Sequence, residues 1–347
     1  MKELQNLYNQ LLQENTKKVD IITPISSAEF IAEGDKNYLL LRKGETLPSE
    51  YHDFRFGDIR DRVLELSSHA LQQLCSKIGV PMSYINKCEP EAREYNIGHW
   101  LKKTDGNNLF RCILEKDSSR VRGILSDRYT PVADSFVVSS LKNAIEASNI
   151  DNPLVTRIYA GEEMLRVQVS DGKKPVVNDT TLGFYCGNSE IGLSTIFIEA
   201  GLYTFKCTNG LRVPNFSFEF NRRHVGNISY NQIGSNFHNQ INNIMNNYSR
   251  MVSYMKIANQ ITMKKTSFSK FIEDSKNFSV PLKDNMKARI KKLSAENVLW
   301  AYVSQMTEEA HYYKEQERME IEKQAGLYMD GIIQKEVKRG RYELAAV

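Results

Sequence analysis

A series of short strand-like segments between residues 154 and 220 constrains the fold more than any other feature of the sequence. The segments are rich in β-branched and aromatic residues, and most of the connections between them are short. Connections this short join antiparallel neighbours, because a parallel pair of strands needs a crossover of a dozen residues or more. The sequence therefore predicts an antiparallel meander. Its strands are predicted at 154–160, 164–170, 181–187, 193–200 and 202–207, with a further candidate at 215–220.

A hairpin and a helix precede this meander. Residues 108–130 contain two strand-like runs around an AspSerSer turn, which is typical of a β-hairpin. Residues 134–147 carry apolar side chains at helical spacing. A helix packed across one face of an antiparallel sheet gives an α+β core.

The chain divides into three predicted regions. Residues 1–105 contain a short N-terminal helix, strand-like runs and a helix-turn-helix-like segment at 66–85. Such a pair of helices reads the major groove in many repressors, but it is also an ordinary way for two helices to pack, and its second helix offers few base-reading side chains. Residues 106–227 form the antiparallel α+β core, and residues 228–347 form a helical C-terminal region.

Two long helical stretches are predicted in the C-terminal region. Apolar residues from Ile233 to Ala258 step by three and four, so they trace one stripe along a single long helix. A second helical stretch begins at Ser294, which has the side chain of an N-cap. The predicted fold class is thus α+β, an antiparallel sheet with packed helices followed by a helical C-terminal region.

Positive charge is concentrated in the C-terminal third. Residues 222–347 contain 20 Lys and Arg against 13 Asp and Glu, whereas residues 1–221 contain 26 against 29. Within 250–292 there are 11 basic and three acidic side chains. Clusters of this kind attract phosphate backbones, although a solvated lysine face has the same composition.

The cysteines and the apolar segments indicate the compartment. The five cysteines are widely spaced and form no CxxC pair, which favours reduced thiols over disulfides or a zinc ribbon. The N-terminus lacks the apolar core of a signal peptide, and no run of about 18 apolar residues occurs. The sequence therefore predicts a cytoplasmic protein with no membrane segment.

Two cysteine chemistries have the right residue types. Cys186, Cys207 and His224 resemble a zinc ligand set, and Cys207 with His224 and Asn209 resembles a nucleophile with its base and orienting group. Their spacing matches no chelating loop, and Asn209 followed by Gly210 is typical of a tight turn. The interpretation as buried thiols and a scaffold turn is favoured, so no metal, cofactor or catalytic residue is predicted here.

A magnesium nuclease is a third chemistry that the sequence leaves open. Glu163, Asp171 and Lys173 lie on or beside one predicted hairpin, and carboxylates with a lysine can hold Mg²⁺ around a phosphate. Asp171 is followed by GlyLysLys, which is also an ordinary turn sequence. Phosphate-binding and hydrolase motifs of the usual spellings do not occur in the sequence.

Nucleic-acid binding is indicated by arginines that lie near aromatic residues. One group of arginines lies on or beside the hairpin, and another ends the strand series. Guanidinium groups pair with phosphates, and tyrosine rings stack on unpaired bases. Aromatic residues that alternate along a strand are also typical of a core face. The predicted nucleic-acid-binding residues are Arg120, Arg122, Arg128, Tyr129, Arg222, Arg223 and His224.

Several motifs resemble one family in their order along the chain. These motifs are LSSHALQQLCSKIGVPMSY (66–84), RGILSDRYTPVAD (122–134), GNSEIGLS (187–194), CTNGL (207–211) and RRHVG (222–226). With them, the chain resembles the bacterial, phage and plasmid proteins of the domain of unknown function 932 family from about residue 55 to 230. The resemblance implies an accessory protein of a mobile element or prophage, and it implies no agreed activity.

The leading hypothesis is a phage or mobile-element accessory protein that binds nucleic acid. The predicted layout is similar to the core of single-strand annealing proteins of phage recombination, which form rings around unpaired DNA. By this analogy the partner is single-stranded DNA and the chain forms a homo-oligomer. The alternatives are a protein-binding module, such as an anti-defence factor acting on a host protein through the asparagine-rich helices, and the metal-dependent nuclease.

Overall fold

The computed structural model describes most of the chain as helices and mostly antiparallel sheets, which confirms the predicted α+β class. A region of helices follows the second sheet, as predicted. The described residues are 1–42, 45–47, 63–113, 119–148, 150–177, 180–204, 210–212, 219–294 and 296–345.

The first part of the chain alternates strands and helices. A 3-10 turn at Ile25–Ser27 separates its first two strands. In chain order the elements are α1 (Lys2–Asn15), β1 (Lys18–Pro24), β2 (Ala28–Glu33), β3 (Lys36–Leu41), β4 (Glu45–Leu47), β5 (Val63–Leu66), α2 (Ser68–Lys77), α3 (Met82–Ile85), α4 (Pro90–Lys103), β6 (Asn107–Ile113) and β7 (Arg120–Ser126).

The second part begins with a helix, continues as a meander and ends in helices. In chain order the elements are α5 (Asp134–Glu146), β8 (Pro153–Ala160), β9 (Leu165–Val177), β10 (Thr180–Asn188), β11 (Ile196–Thr204), β12 (Gly210–Arg212), β13 (Glu219–Arg222), α6 (Tyr230–Asn246), α7 (Tyr248–Ala258), β14 (Thr262–Lys264), α8 (Lys265–Asp274), α9 (Val280–Lys291), β15 (Glu296–Val298), α10 (Leu299–Ala310) and α11 (Glu315–Lys338).

The first sheet has seven strands in the order β2-β3-β5-β7-β6-β1-β4. Its pairs are antiparallel except β5 with β7, which run parallel. Successive side chains of a strand point to opposite faces. In β1, Val19 and Ile21 therefore join the apolar core beneath α2 and α4, whereas Lys18 and Asp20 lie on the other face. Both of these charged residues are buried, so something polar must cover that second face.

The second sheet has the strand order β12-β11-β10-β9-β8, and β13 also pairs with β11. Its central strand β10 is buried on both faces. Phe184 of β10 lies opposite Val169 of β9 and Ala200 of β11. These side chains share one apolar core with α1, α5, α6 and the C-terminal helices. The second sheet and the helical region are thus one packed unit.

The hairpin and the meander were predicted nearly as they occur. β6 and β7 pair antiparallel, and α5 begins at the predicted Asp134. One prediction was wrong: the segments predicted at 193–200 and 202–207 are not two separate strands as far as they are described, and residues 205–207 lie outside the described residues. Ile196–Thr204 is a single strand, because Gly201 continues the pairing with β10 on one side and β12 on the other.

The C-terminal helices differ from their prediction in number and position. The apolar stripe from Ile233 to Ala258 belongs to two helices, because the chain departs from helical geometry at Asn247 (ψ 15°). The second helical stretch begins at Leu299 and not at Ser294, since Glu296–Val298 pairs with β14. Helices α8 and α9 were not predicted.

Two features bear on the predicted regions of the chain. Helix α3 is a single turn with its last residue, Ile85, buried, so it is too short to serve as a recognition helix. The first sheet also crosses the predicted boundary between residues 105 and 106, because β6 and β7 lie within it.

Candidate nucleic-acid interface

The end of β10 and the loop that follows it, residues 187–192, join the second sheet to α5 and to the first sheet. The side-chain amide of Asn188 donates to the backbone oxygen of Val132 (2.9 Å) and to Oδ1 of Asp134 (2.7 Å). Gly192 ends the loop with a φ of +84°, a conformation that residues with a side chain rarely adopt. The motif at this position is therefore a structural connection between elements.

Glu190 of this loop enters a cluster of buried charges on the polar face of the first sheet, here called the buried junction: Lys18, Asp20, Arg111, Arg122 and Glu190. Oε2 of Glu190 lies 2.8 Å from Nζ of Lys18 and 2.8 Å from a terminal nitrogen of Arg122. Arg111 donates to Oδ1 of Asp20 (2.8 Å) and to the backbone oxygen of Glu190 (2.7 Å). The junction is the polar cover that the charged face of β1 requires.

The pKa values of two carboxyl groups follow from this arrangement. Burial acts to raise the pKa of Glu190, but Lys18, Arg122 and Arg111 hold it well below its ordinary value. Burial and the neighbouring Glu190 raise the pKa of Asp134 to about 7. Glu190 is therefore an anion bound by cations in the interior, and its role is to hold the sheets together.

Two of the predicted phosphate-binding arginines form ion pairs with carboxylates of the protein itself. Arg122 is buried and paired with Glu190, so its guanidinium is not available to a phosphate. Arg120 forms an ion pair with Glu162 near the surface. The alternating pattern of β7 did not reveal which of its faces is covered. Arg122 is therefore a structural residue of the interior, and the charge of Arg120 is paired with that of Glu162.

A short antiparallel bridge brings the other predicted residues together. Tyr129 pairs with Val225, and the backbone nitrogen of Thr130 donates to the backbone oxygen of His224 (2.9 Å). The rings of Tyr129 and His224 stack, with centroids 4.9 Å apart and planes 10° apart. The segment after β7, which includes Arg128, thus lies beside the segment after β13.

We call the arginines that these two paired segments carry the arginine edge: Arg128, Arg222 and Arg223. Arg128 and Arg223 are exposed. Arg222 is half-buried, and its guanidinium donates to the backbone oxygen of Asn227 (3.0 Å). Asp127 lies next to Arg128 and is also exposed, so the edge keeps a net charge of +2. Exposed guanidinium groups in this number can bind a few phosphates of a strand.

Tyr129 and His224 support the edge from beneath. The hydroxyl of Tyr129 donates to the backbone oxygen of Ser189 (2.8 Å), and the stacked His224 covers one face of its ring. Burial lowers the pKa of His224 to about 4, so the imidazole is neutral at pH 7 and adds no positive charge. Both residues position the backbone that carries the arginines.

Comparison with known proteins places the chain in a family. The sequence model of the family described as Domain of unknown function (DUF932) matches residues 121–326. The chain belongs to the DUF932 family. The resemblance put the family region at about 55–230, so the match begins later and extends further, into α11. No significant match was found among curated proteins or among solved structures.

In this DUF932 protein the residues considered for a nuclease do not converge. Glu163 lies in the turn between β8 and β9, whereas Asp171 pairs with Pro153 at the far end of that hairpin. Leu165 and Asp171 are separated by six residues of one strand, or about 20 Å. Among the residues that the structure describes, no three His, Cys, Asp or Glu side chains are grouped to hold a metal ion. The side chain of Lys173 lies outside the described residues.

The structure tests only part of the zinc-site and nucleophile hypotheses for this DUF932 protein. Cys186 is buried, and burial raises its pKa, so it stays a protonated thiol that is a poor ligand and nucleophile. Cys207 and Asn209 lie outside the described residues. The described cysteines, Cys75, Cys88, Cys112 and Cys186, are free thiols.

Within the described chain, every helix is too short or too polar to cross a bilayer.

A second basic surface was missed in the sequence, and we call it the basic cleft: Arg250, Lys335, Lys338 and Arg339. These residues line a cavity of about 790 Å³ between α7 and the end of α11. Lys335, Lys338 and Arg339 are exposed, and Glu336 pairs with Arg339. Lysines and glutamates alternate along α11, a pattern that is also typical of intrahelical ion pairs, so the sequence alone does not indicate the cleft.

Several basic residues of the 250–292 segment have partners within the protein. The ammonium group of Lys265 donates to the backbone oxygen of Lys291 (3.3 Å). Arg289 pairs with Glu309, and Lys287 pairs with Glu273. These contacts reduce what the local excess of charge offers to a phosphate backbone.

Proposed function

We propose that this protein binds nucleic acid, single-stranded DNA foremost, through the arginine edge. The observation that carries the proposal is the bridge between Tyr129 and Val225, which pairs the segment that carries Arg128 with the segment that carries Arg222 and Arg223. Two of these guanidinium groups are exposed, and phosphate contacts from arginine supply most of the affinity in sequence-independent binding. Annealing of strands in phage or mobile-element recombination, by several copies of the chain, belongs to the same proposal.

The competing functions have less support from the geometry. Major-groove reading by the helix-turn-helix-like segment lacks a recognition helix, because α3 is one turn long. The carboxylates of the nuclease hypothesis lie at opposite ends of the β8–β9 hairpin. A protein-binding role through the asparagine-rich α6 remains the alternative, and salt dependence separates it from phosphate binding.

The proposal is tested with the double variant Arg128→Ala/Arg223→Ala. Both side chains are exposed and outside the buried junction, so the variant should fold as the parent does. We expect the affinity for a labelled single-stranded 20-mer at 50 mM salt to fall by about tenfold or more. The slope of log affinity against log salt should become less steep by about 1.4, since each phosphate contact on a single strand contributes about 0.7. Fluorescence anisotropy measures both quantities.

The matched comparison is Lys335→Ala/Lys338→Ala, which removes the same charge from the basic cleft. We expect this variant to lose less affinity than the variant of the arginine edge. The reverse order would assign binding to the cleft and contradict the proposed site. Parent protein that leaves the anisotropy unchanged at 50 mM salt would reject nucleic-acid binding altogether.

A further inference from the structure

Helix α4 carries a row of exposed rings, here called the aromatic row: Tyr95, His99 and Trp100. Tyr95 is 73% exposed and Trp100 is 45% exposed. The rings of Tyr95 and His99 are stacked at 6.1 Å between centroids, and His99 meets Trp100 edge to face at 5.4 Å. Tyr95 and His99 lie on one side of the helix, because residues four apart are neighbours on a helix surface. Trp100 extends the row through its edge contact with His99.

Folding does not account for the aromatic row. The helix is held to β2 and the first core by Ile97 and Leu101, which are fully buried and lie on its other side. A large ring gains stability when it is buried, and a tryptophan left half-exposed gives up much of that gain. Adjacent exposed aromatic residues are instead typical of a surface that binds a partner.

The groove beside the helix gives a ligand room to reach the rings. A cavity of about 890 Å³ lies between α4 and residues 26–32, and Tyr95 and His99 form part of its wall. Outside the groove, the exposed Tyr84 lies against α4, where its hydroxyl accepts a hydrogen bond from the amide of Asn96 (3.2 Å).

The charges around the aromatic row favour a ligand that carries phosphates. Lys102 and Lys103 are exposed in the last turn of α4, and Nζ of Lys103 lies 5.5 Å from the ring centroid of Trp100. The carboxylate of Glu94 accepts a hydrogen bond from the backbone of Ala32. Glu91 lies in the first turn, nine residues or about 13 Å along the axis from Trp100.

The carboxylate of Glu29, which also lines the groove, pairs with Arg42. Negative charge at the groove is therefore bonded within the protein or lies toward the start of the helix. The positively charged Lys102 and Lys103 follow the rings in the last turn of α4.

We infer that the aromatic row is a stacking platform for unpaired bases, with Lys102 and Lys103 as the contacts for the adjoining phosphates. Exposed rings next to ammonium groups are the combination that holds single strands without regard to sequence. A duplex keeps its bases stacked within the helix and cannot offer them to the rings. This inference rests on the proposed function for its class of ligand, and it adds a separate site and a preference for unpaired strands.

Trp100 reports on this site directly. The chain has two tryptophans, and Trp300 is partly buried against the larger core. In a Trp300→Phe background, we expect a dT20 oligonucleotide to quench the fluorescence of Trp100, and a 20-base-pair duplex to leave it unchanged. Tyr95→Ala and Trp100→Ala should each weaken binding of dT20, measured by anisotropy, by about fivefold or more, since one stacked base contributes this much or more. Lys2→Ala, on exposed α1, is the control and should not change it.

Each outcome decides the inference separately from the proposed function. Binding of dT20 without quenching of Trp100, or with unchanged affinity in both ring variants, overturns the stacking platform and leaves the arginine edge intact. Quenching that persists in Arg128→Ala/Arg223→Ala supports the platform even where the edge fails. Equal quenching by duplex and dT20 overturns the preference for unpaired bases. Absence of any binding rejects both, and it makes a protein the partner of the aromatic row.

Discussion

Replacing Glu190 with alanine is expected to lower the free energy of unfolding by about 3–5 kcal/mol, the usual cost of removing one partner of a buried ion pair. The carboxylate binds Lys18 and Arg122 in the interior. Its loss leaves both cations without their anion at the contact between the two sheets. Urea unfolding followed by circular dichroism measures the change.

A glutamine at position 190 distinguishes charge from shape. The pKa of Glu190 lies well below its ordinary value, so the protein needs the ionised form, which glutamine cannot supply. We expect Glu190→Gln to retain a loss of at least about 2 kcal/mol. The control is Glu162→Gln, which removes the partly exposed partner of Arg120 and should cost less than about 1 kcal/mol. Equal effects of the two glutamine variants would contradict the role of the buried junction.

Glu322→Ala is expected to be similarly damaging, by about 3–5 kcal/mol, because Glu322 is fully buried and joins α11 to the second sheet. Its carboxylate accepts hydrogen bonds from Arg318 (2.9 Å) and from the hydroxyl of Tyr185 (2.9 Å). Alanine removes the acceptor of both of these bonds.

Glutamine should be tolerated far better at 322 than at 190. Burial raises the pKa of Glu322 even though Arg318 and Arg157 oppose it, so the interior disfavours its charge. The amide oxygen of glutamine can accept the same bonds from Arg318 and Tyr185. We expect Glu322→Gln to cost less than about 1.5 kcal/mol in the same urea experiment. A loss as large as that of Glu322→Ala would show that the charge itself is required.

The second sheet could be predicted from the sequence because its strands pair with strands that are adjacent along the chain. β8, β9, β10 and β11 pair with their neighbours along the chain, so strand patterns and short turns suffice. The first sheet is not local. β1 pairs with β6 over about 90 residues of chain, and β5 pairs in parallel with β7, which no pattern within either strand specifies.

The arginine edge was readable in part. Arg128 and Arg223 are charged residues outside the strand segments, which is where exposed side chains are expected. Arg122 lies within a strand, and its burial depends on an ion pair with Glu190, 68 residues away. Lys18 is farther still, at 172 residues. A charged residue inside an otherwise apolar strand indicates that its side chain is paired in the interior. It does not indicate which residue of the chain is the partner.

The aromatic row could not be predicted from the sequence. Tyr95 and His99 have the i, i+4 spacing of a core stripe, and the sequence does not say that Ile97 and Leu101 take that place. Only the packing of α4 on β2 decides which side of the helix faces solvent.

The most direct test of the proposed function is the affinity of the unaltered protein for a labelled single-stranded 20-mer between 50 and 200 mM salt. With three phosphates held by Arg128, Arg222 and Arg223, the affinity should fall by about 20-fold or more across this range, since binding releases counterions. An affinity that does not change with salt, or an anisotropy that never rises at 50 mM, would contradict nucleic-acid binding by this protein.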